Sequence, residues 1–294
     1  MNTEVWFMDF ELFFEKIQFA QVGKDDFYKI HARSNSPAFA DSFQQALKEY
    51  EKGDEDFAAY LEIFAQQEQL SVEILNMYIY LRKCEKALEQ FRARGIDDSV
   101  FYDSAYSFTV CGDWLMKHEG IYGISRSPHR KWMRHFFNIE IFRLGRLEFE
   151  YMHSGYDAEI DGHILRKGDP CVGVHIPAGK LSTAECEEAY ALARKFFKQQ
   201  YGMDTVIFFC VSWLLHPWLG EDLAPNSGIV DFQKRFKLLA VHETPQSMQQ
   251  MLQWAFLHPC ENINDYPEDT SLRRALKKRL LENRPLGEAS GIRL

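Results

Sequence analysis

Two glutamates with one residue between them, Glu148 and Glu150, stand in the alternating run RLEFEY and therefore share one face of a strand. A carboxylate held there could take a proton, directly or through water, once burial raises its pKa. The plainer account is a solvated face paired with Arg143 or Arg146. His175, out of phase with Val174 in CVGVHIP, is another candidate base, with a satisfied core histidine as the alternative. His216, just before Pro217, would close the end of an apolar strand, where ligands bind in open sheets; otherwise it is a loop residue. Cys210 and Ser212 alternate on that strand with no base arranged beside them, so packing accounts for them better than nucleophilic chemistry. The 10 histidines show no His-x-His pattern and the 6 cysteines no Cys-x-x-Cys, which argues against a metal centre.

The stretch that must position these groups runs from Cys171 to Gln200. Val172, Val174 and Ile176 point to one face, Gly173 and His175 to the other, and Pro177-Ala178-Gly179 ends the strand in a turn. Leu181-Ser182-Thr183-Ala184-Glu185 then has the S-x-x-E spacing of a capping box, with Leu181 and Cys186 placed as a hydrophobic staple. The helix that follows carries Cys186, Ala189, Tyr190, Ala193, Phe196 and Phe197 on one stripe. A strand, a short glycine-containing loop and a helix start place backbone N–H groups where a phosphate could dock.

Before this stretch, the first 125 residues read as helices. Trp6, Phe10, Phe13, Phe14 and Ile17 form one stripe. Ser36-Pro37 opens a helix with Phe39, Phe43, Leu47 and Tyr50, which Gly53 breaks; further helices carry Phe57 to Phe64, Leu70 to Leu81, and Phe101 to Phe108. Gly112, Gly120 and Gly123 suggest a junction, giving a helical domain over 1–125 and a second domain over 126–294. Ser127-Pro128 starts a short helix in the second. Strands then follow: Leu147 to Tyr151 with Gly145 as a bulge, a hairpin at Asp161-Gly162, a turn at Lys167 to Pro170, and the apolar run Thr205 to Trp213, which fits a strand buried on both faces. Asn226-Ser227 caps a helix, Leu238 to Val241 is a strand, Pro245 to Phe256 and Thr270 to Leu281 are helical, and Gly291 to Leu294 is a last strand. The fold class is α+β, a helical bundle followed by a mixed sheet flanked by helices.

Composition narrows the function. A net charge of −9 argues against a nucleic-acid surface over the whole molecule. Cysteines without regular spacing fit buried thiols in a reducing compartment. No apolar run reaches the ~18 residues of a membrane span, and the first residues are acidic where a leader would be basic, so the reading is cytoplasmic. Arg273, Arg274, Lys277, Lys278 and Arg279 form a basic helical run that suits a solvated face, a phosphate group, or an acidic partner. Trp213 and Trp218 fill a core or line a pocket.

The segments RLGRLEFEY (143–151), GDPCVGVHIPAGKLS (168–182), CVSWLLHP (210–217), NSGIVDFQKRF (226–236) and the terminal SLRRALKKRLL and GIRL resemble a family, the two-domain bacterial acyltransferase-like proteins. In these a helical N-terminal domain precedes a C-terminal domain of the GNAT (N-acetyltransferase) fold. The resemblance implies an acyl-CoA-dependent N-acyltransferase that moves an acetyl or short acyl group from acetyl-CoA or another acyl-CoA to a small-molecule or peptide amine, by direct attack. It implies that Val174, His175 and Ile176 form the strand edge that pairs with pantetheine. Gly179, Lys180, Leu181, Ser182 and Thr183 would form the diphosphate loop, and Glu148, Glu150 and His175 supply the base. The loop departs from the usual Arg/Gln-x-x-Gly-x-Gly/Ala pattern. That departure favours a second reading, a catalytically inactive GNAT-like module for CoA sensing or protein–protein contact.

Overall fold

The structure, a computed structural model, describes residues 8–126, 129–177, 179–256 and 260–294. The chain folds as two compact units, 1–143 and 144–294.

In the first unit the described helices are α1 (Phe10–Lys16), α2 (Gln21–His31), α3 (Pro37–Lys52), α4 (Asp54–Glu68), α5 (Val72–Ala93), α6 (Asp98–Glu119) and α7 (His129–Phe137). Their starts follow local chemistry. Asp9, Ser71 and Asp97 accept bonds from amides of the first turns of α1, α5 and α6, and Pro37 opens α3. Aromatic side chains fill the interior: Phe13, Phe57, Phe64, Tyr80, Phe91, Phe101 and Phe108 are all fully buried. The helix α2 has no counterpart in the sequence reading, because only Gly23, Phe27 and Ile30 of its 11 residues are buried, too few to make a stripe. Trp6 and the Ser127-Pro128 helix start lie outside the described residues.

The glycines that suggested a junction near 125 have other work. Gly112 sits inside α6, and a Cβ there would come within 2.5 Å of the Tyr122 ring; one on Gly123 would lie 2.6 Å from the backbone of Glu73. Both are points of close packing, and only Gly120 ends a helix, at φ 70°. The helix α7 also belongs to this unit. The Tyr80 hydroxyl donates to the Arg130 carbonyl at 3.0 Å, Arg130 grips Asp54 through two bonds of 2.9 and 3.0 Å, and Phe136 packs against Phe91, Phe101 and Phe108. The division between the units therefore falls at 143/144.

The remaining elements are β1 (Ile141–Leu144), β2 (Leu147–His153), β3 (Ala158–Ile160), β4 (His163–Leu165), β5 (Pro170–His175), α8 (Thr183–Tyr201), β6 (Phe208–Ser212), α9 (Trp218–Asp222), α10 (Gly228–Lys234), β7 (Lys237–His242), α11 (Pro245–Phe256), α12 (Ser271–Leu281) and β8 (Glu288–Arg293). The main sheet has the order β1-β2-β5-β6-β8-β7; β3 and β4 form a separate hairpin turning at Asp161 and Gly162, both at positive φ. Gly145 is not a bulge. It takes φ 68° in the two-residue turn before β2, the left-handed conformation glycine adopts without strain.

One face of this sheet packs on α8 through Phe149, Tyr190 and Phe208, whose ring centroids lie 4.8 to 5.8 Å apart. Arg293 caps that cluster, its guanidinium 3.9 Å from the Tyr190 ring centre and bonded twice to Glu187. On the other face Cys171, Ile207, Phe209 and Ile292 form a core with Ile160 and Leu165 of the hairpin. The strand β6 is shorter than its apolar run: Phe208, Phe209 and Cys210 are buried, so both faces are covered there, but Val211 is 47% exposed and Trp213 already belongs to a turn.

Candidate active site

Strand β2 pairs with β5 in antiparallel register, with Glu148 opposite His175 and Glu150 opposite Gly173. These four positions share the sheet face turned away from α8, because their neighbours Phe149 and Val174 alternate to the other side. Across this ladder Nε2 of His175 and Oε2 of Glu150 lie 2.9 Å apart. Gly173 lies beside this diagonal contact. A Cβ there would sit 2.9 Å from the Met152 sulfur and 3.5 Å from His175 Nε2. With Glu150 ionised, Nε2–H donates to the carboxylate and the basic lone pair falls on Nδ1. The pair keeps solvent contact, 32% for the His175 side chain and 21% for Glu150, whereas Glu148 is buried. Cys171, on the same face, has its thiol pushed up to about 11 by burial and then by the charge of Glu150, so it is no nucleophile.

Strands β5 and β6 run parallel but pair only at Val172 with Phe208 and Gly173 with Phe209. Each is then held from its outer side. β2 accompanies β5 as far as His175, and β8 accompanies β6 as far as Ser212. The shared ladder of these two parallel strands stops there while each keeps its other partner, and the facing edges of Val174–His175 and Cys210–Ser212 border the wedge that a divergence would open.

The loop after β5 leads into α8. Ser182 stands at the N-cap as the S-x-x-E spacing anticipates, but its side chain makes no capping bond; the first helical bond runs from the Cys186 N–H to the Ser182 carbonyl at 3.0 Å. Amides of the first turn are thus left without a side-chain cap. Leu181 and Cys186, the staple pair, are both buried. The Thr183 hydroxyl donates to Asp231, whose charge Arg235 balances while also reaching Glu187 at 2.8 Å. Gly179 takes φ 116°, and Lys180 is exposed. Ala178 lies outside the described residues. Arg146, from the turn before β2, donates from Nη2 to the Pro177 carbonyl at 2.8 Å and from Nε to the Lys180 carbonyl at 3.1 Å.

The structure brings together Glu148, Glu150 and His175 on one face, and Gly179 to Thr183 at the head of α8. His216 is elsewhere and buried: its Nδ1 accepts from the Trp218 N–H, Nε2 lies 3.2 Å from Glu243, and burial lowers its pKa against the pull of that carboxylate. The basic run of α12 is largely spoken for within the protein. Arg279 is buried beside the Trp218 ring and bonded to Glu221 and Asp222, Arg273 meets Asp269, and Lys277 meets Glu268 and two carbonyls. Trp218 is fully buried, as a core residue. Sequence reasoning missed Arg146 as a loop partner and the pairing of Glu150 with His175. The Gly-Arg turn next to a predicted strand was the available signal for the first, and no spacing marks the second.

A helical unit followed by a mixed sheet whose parallel strands β5 and β6 part ahead of a helix start defines a GNAT-like protein. The model of the GNAT-like C-terminal domain matches residues 141–293 and that of the N-acyltransferase N-terminal domain matches residues 8–139; the chain belongs to this two-domain family. No curated protein matches it. Among solved structures, an acyltransferase in complex with decanoyl-CoA and teicoplanin matches with TM-score 0.72 at 18% identity, over 95% of this chain and 85% of that one. An acyltransferase in complex with CoA and 10C-teicoplanin matches with the same values. An acyltransferase in complex with decanoyl-CoA matches with TM-score 0.65 at 18% identity, over 97% and 99%. At that identity the likeness is one of fold.

Proposed function

We propose that this protein transfers an acyl group from an acyl-CoA to the amine of a small molecule or peptide. The observation that carries this reading is the parting of β5 from β6 just beyond Gly173 and Phe209, immediately before a helix start without a side-chain cap. A pantetheine arm laid in the wedge would pair with the edge of Val174 to Ile176, and its diphosphate would meet amides from Gly179 to Thr183, with Lys180 adding charge. The amine nitrogen attacks the thioester carbonyl, forming C–N, and a backbone N–H of β5 stabilises the oxyanion. C–S then breaks, CoA leaves as thiolate, and the amine's proton passes to His175, which Glu150 holds in orientation. Glu148 lies on the same face as a second acidic group.

Calorimetry with CoA, followed by thiol release from acetyl-CoA, octanoyl-CoA and decanoyl-CoA with a panel of primary amines, tests the proposal. The expected result is saturable CoA binding and amine-dependent thiol release, and the chain-length series separates a short-acyl donor from the long acyl-CoAs carried by the structural neighbours. Absence of CoA binding at millimolar concentration would overturn it. Binding without any amine-dependent release would instead support the CoA-sensing module.

A further inference from the structure

We infer that Arg146 is a positioning residue for acyl-CoA: from the turn before β2 it fixes the loop between β5 and α8 in the shape that presents backbone N–H groups to the diphosphate. The inference rests on the proposed acyl-CoA binding and deepens it. Its guanidinium spans the loop, with Nη2 on the Pro177 carbonyl at 2.8 Å and Nε on the Lys180 carbonyl at 3.1 Å. In a planar trans peptide the N–H points opposite the carbonyl, so a Lys180 carbonyl turned toward Arg146 turns the Leu181 N–H away from it. The planar fork of arginine holds both carbonyls at once, which a lysine ammonium on a flexible stem does not reproduce. Gly179 allows the loop to curl over the guanidinium at φ 116°, where even a Cβ would stand 3.7 Å from Nη2.

Charge points the same way. Arg146 lies near enough to the first turn of α8 to act on the Cys186 thiol. A cation beside a helix N-terminus opposes the macrodipole, a cost that an anion at the same place reverses. Lys180, exposed in the loop, adds a second positive charge. The acidic neighbour Asp231 is engaged by the Thr183 hydroxyl and by Arg235.

The test compares wild type, Arg146→Ala and Arg146→Lys for CoA affinity by calorimetry and for turnover of two donors: decanoyl-CoA and decanoyl-N-acetylcysteamine thioester, which carries no diphosphate. The alanine variant is expected to bind CoA about 10- to 100-fold more weakly and to raise KM for decanoyl-CoA by a similar factor. The lysine variant should fall close to the alanine one, and in both, turnover of the truncated thioester should fall by a much smaller factor than turnover of decanoyl-CoA. CoA affinity in Arg146→Ala within twofold of wild type would overturn the inference alone. Equal loss with both donors would also overturn it, as the mark of a merely structural role. If Arg146→Ala fails to fold, the same criteria apply to Arg146→Lys. Wild type that binds no CoA would instead remove the proposed function from which the inference starts.

Discussion

Replacing Glu150 with Gln keeps the size of the side chain and removes its charge, and the structure sets the scale of the effect. The bond lost is a charge-assisted one of 2.9 Å to His175. Such bonds contribute about 1.5–3 kcal/mol, and partial exposure of the pair puts this one at the lower end. At 1.36 kcal/mol per decade, kcat should fall roughly tenfold. His175→Ala removes the base itself and should lower kcat by about 10²–10⁴-fold. Since Glu150 acts through His175, the double variant should be no slower than His175→Ala within about a factor of two. Thiol release from decanoyl-CoA at saturating amine reads all three, with CoA affinity measured alongside and expected to stay unchanged. Multiplicative losses in the double variant would refute the reasoning. So would full activity in Glu150→Gln together with an inactive Glu148→Gln, which would move the base to the buried carboxylate.

Gly173→Ala places a methyl 2.9 Å from the Met152 sulfur, a flexible end that can yield, and at ordinary contact distance, 3.5 Å, from His175 Nε2, so it should cost no more than about 1 kcal/mol in urea unfolding, and a larger loss would contradict this packing. Gly112→Ala drives a Cβ to within 2.5 Å of the Tyr122 ring and should destabilise the first unit by about 1–3 kcal/mol in urea unfolding. His129 has its pKa pushed down by burial from 6.5 to about 4. Its folded state therefore resists protonation, so its contribution is whole above pH 6.5 and is lost as pH falls toward 4, by roughly 3 kcal/mol at 1.36 kcal/mol per unit. Unfolding titrations of wild type and His129→Gln between pH 7 and 4 check this: the variant should show a flatter decline, and equal slopes would contradict it.

Much of the fold was legible because helix and strand periodicities were clean. Phe57 to Phe64 on α4 and Phe149 with Tyr151 on β2 behave as their spacing demands, and Asp161-Gly162 turns the hairpin it signals. What failed was long-range packing. Gly112 and Gly123 read as linkers in sequence because nothing local reveals that a tyrosine ring or a helix backbone will come against them. For the same reason α2, with few buried residues, left no stripe. At the site, the strand–loop–helix frame and the shared face of Glu148 and Glu150 followed from alternation. The Glu150–His175 pairing did not, since it depends on the register of β2 against β5. Arg146 was counted as a strand-face partner for the glutamates, whereas two of its bonds clamp a loop some thirty positions on. The basic run of α12 shows the reverse error: charges that suit solvent or a phosphate in sequence are spent on Asp222, Glu221 and Asp269.

The most direct measurement is a crystal structure of the protein grown with decanoyl-CoA. The account predicts pantetheine density between β5 and β6 beyond Gly173, diphosphate oxygens within hydrogen-bond reach of amides from Gly179 to Thr183, and the thioester carbonyl next to the face carrying His175. Decanoyl-CoA bound anywhere else, with β5 and β6 closed on one another, would contradict it.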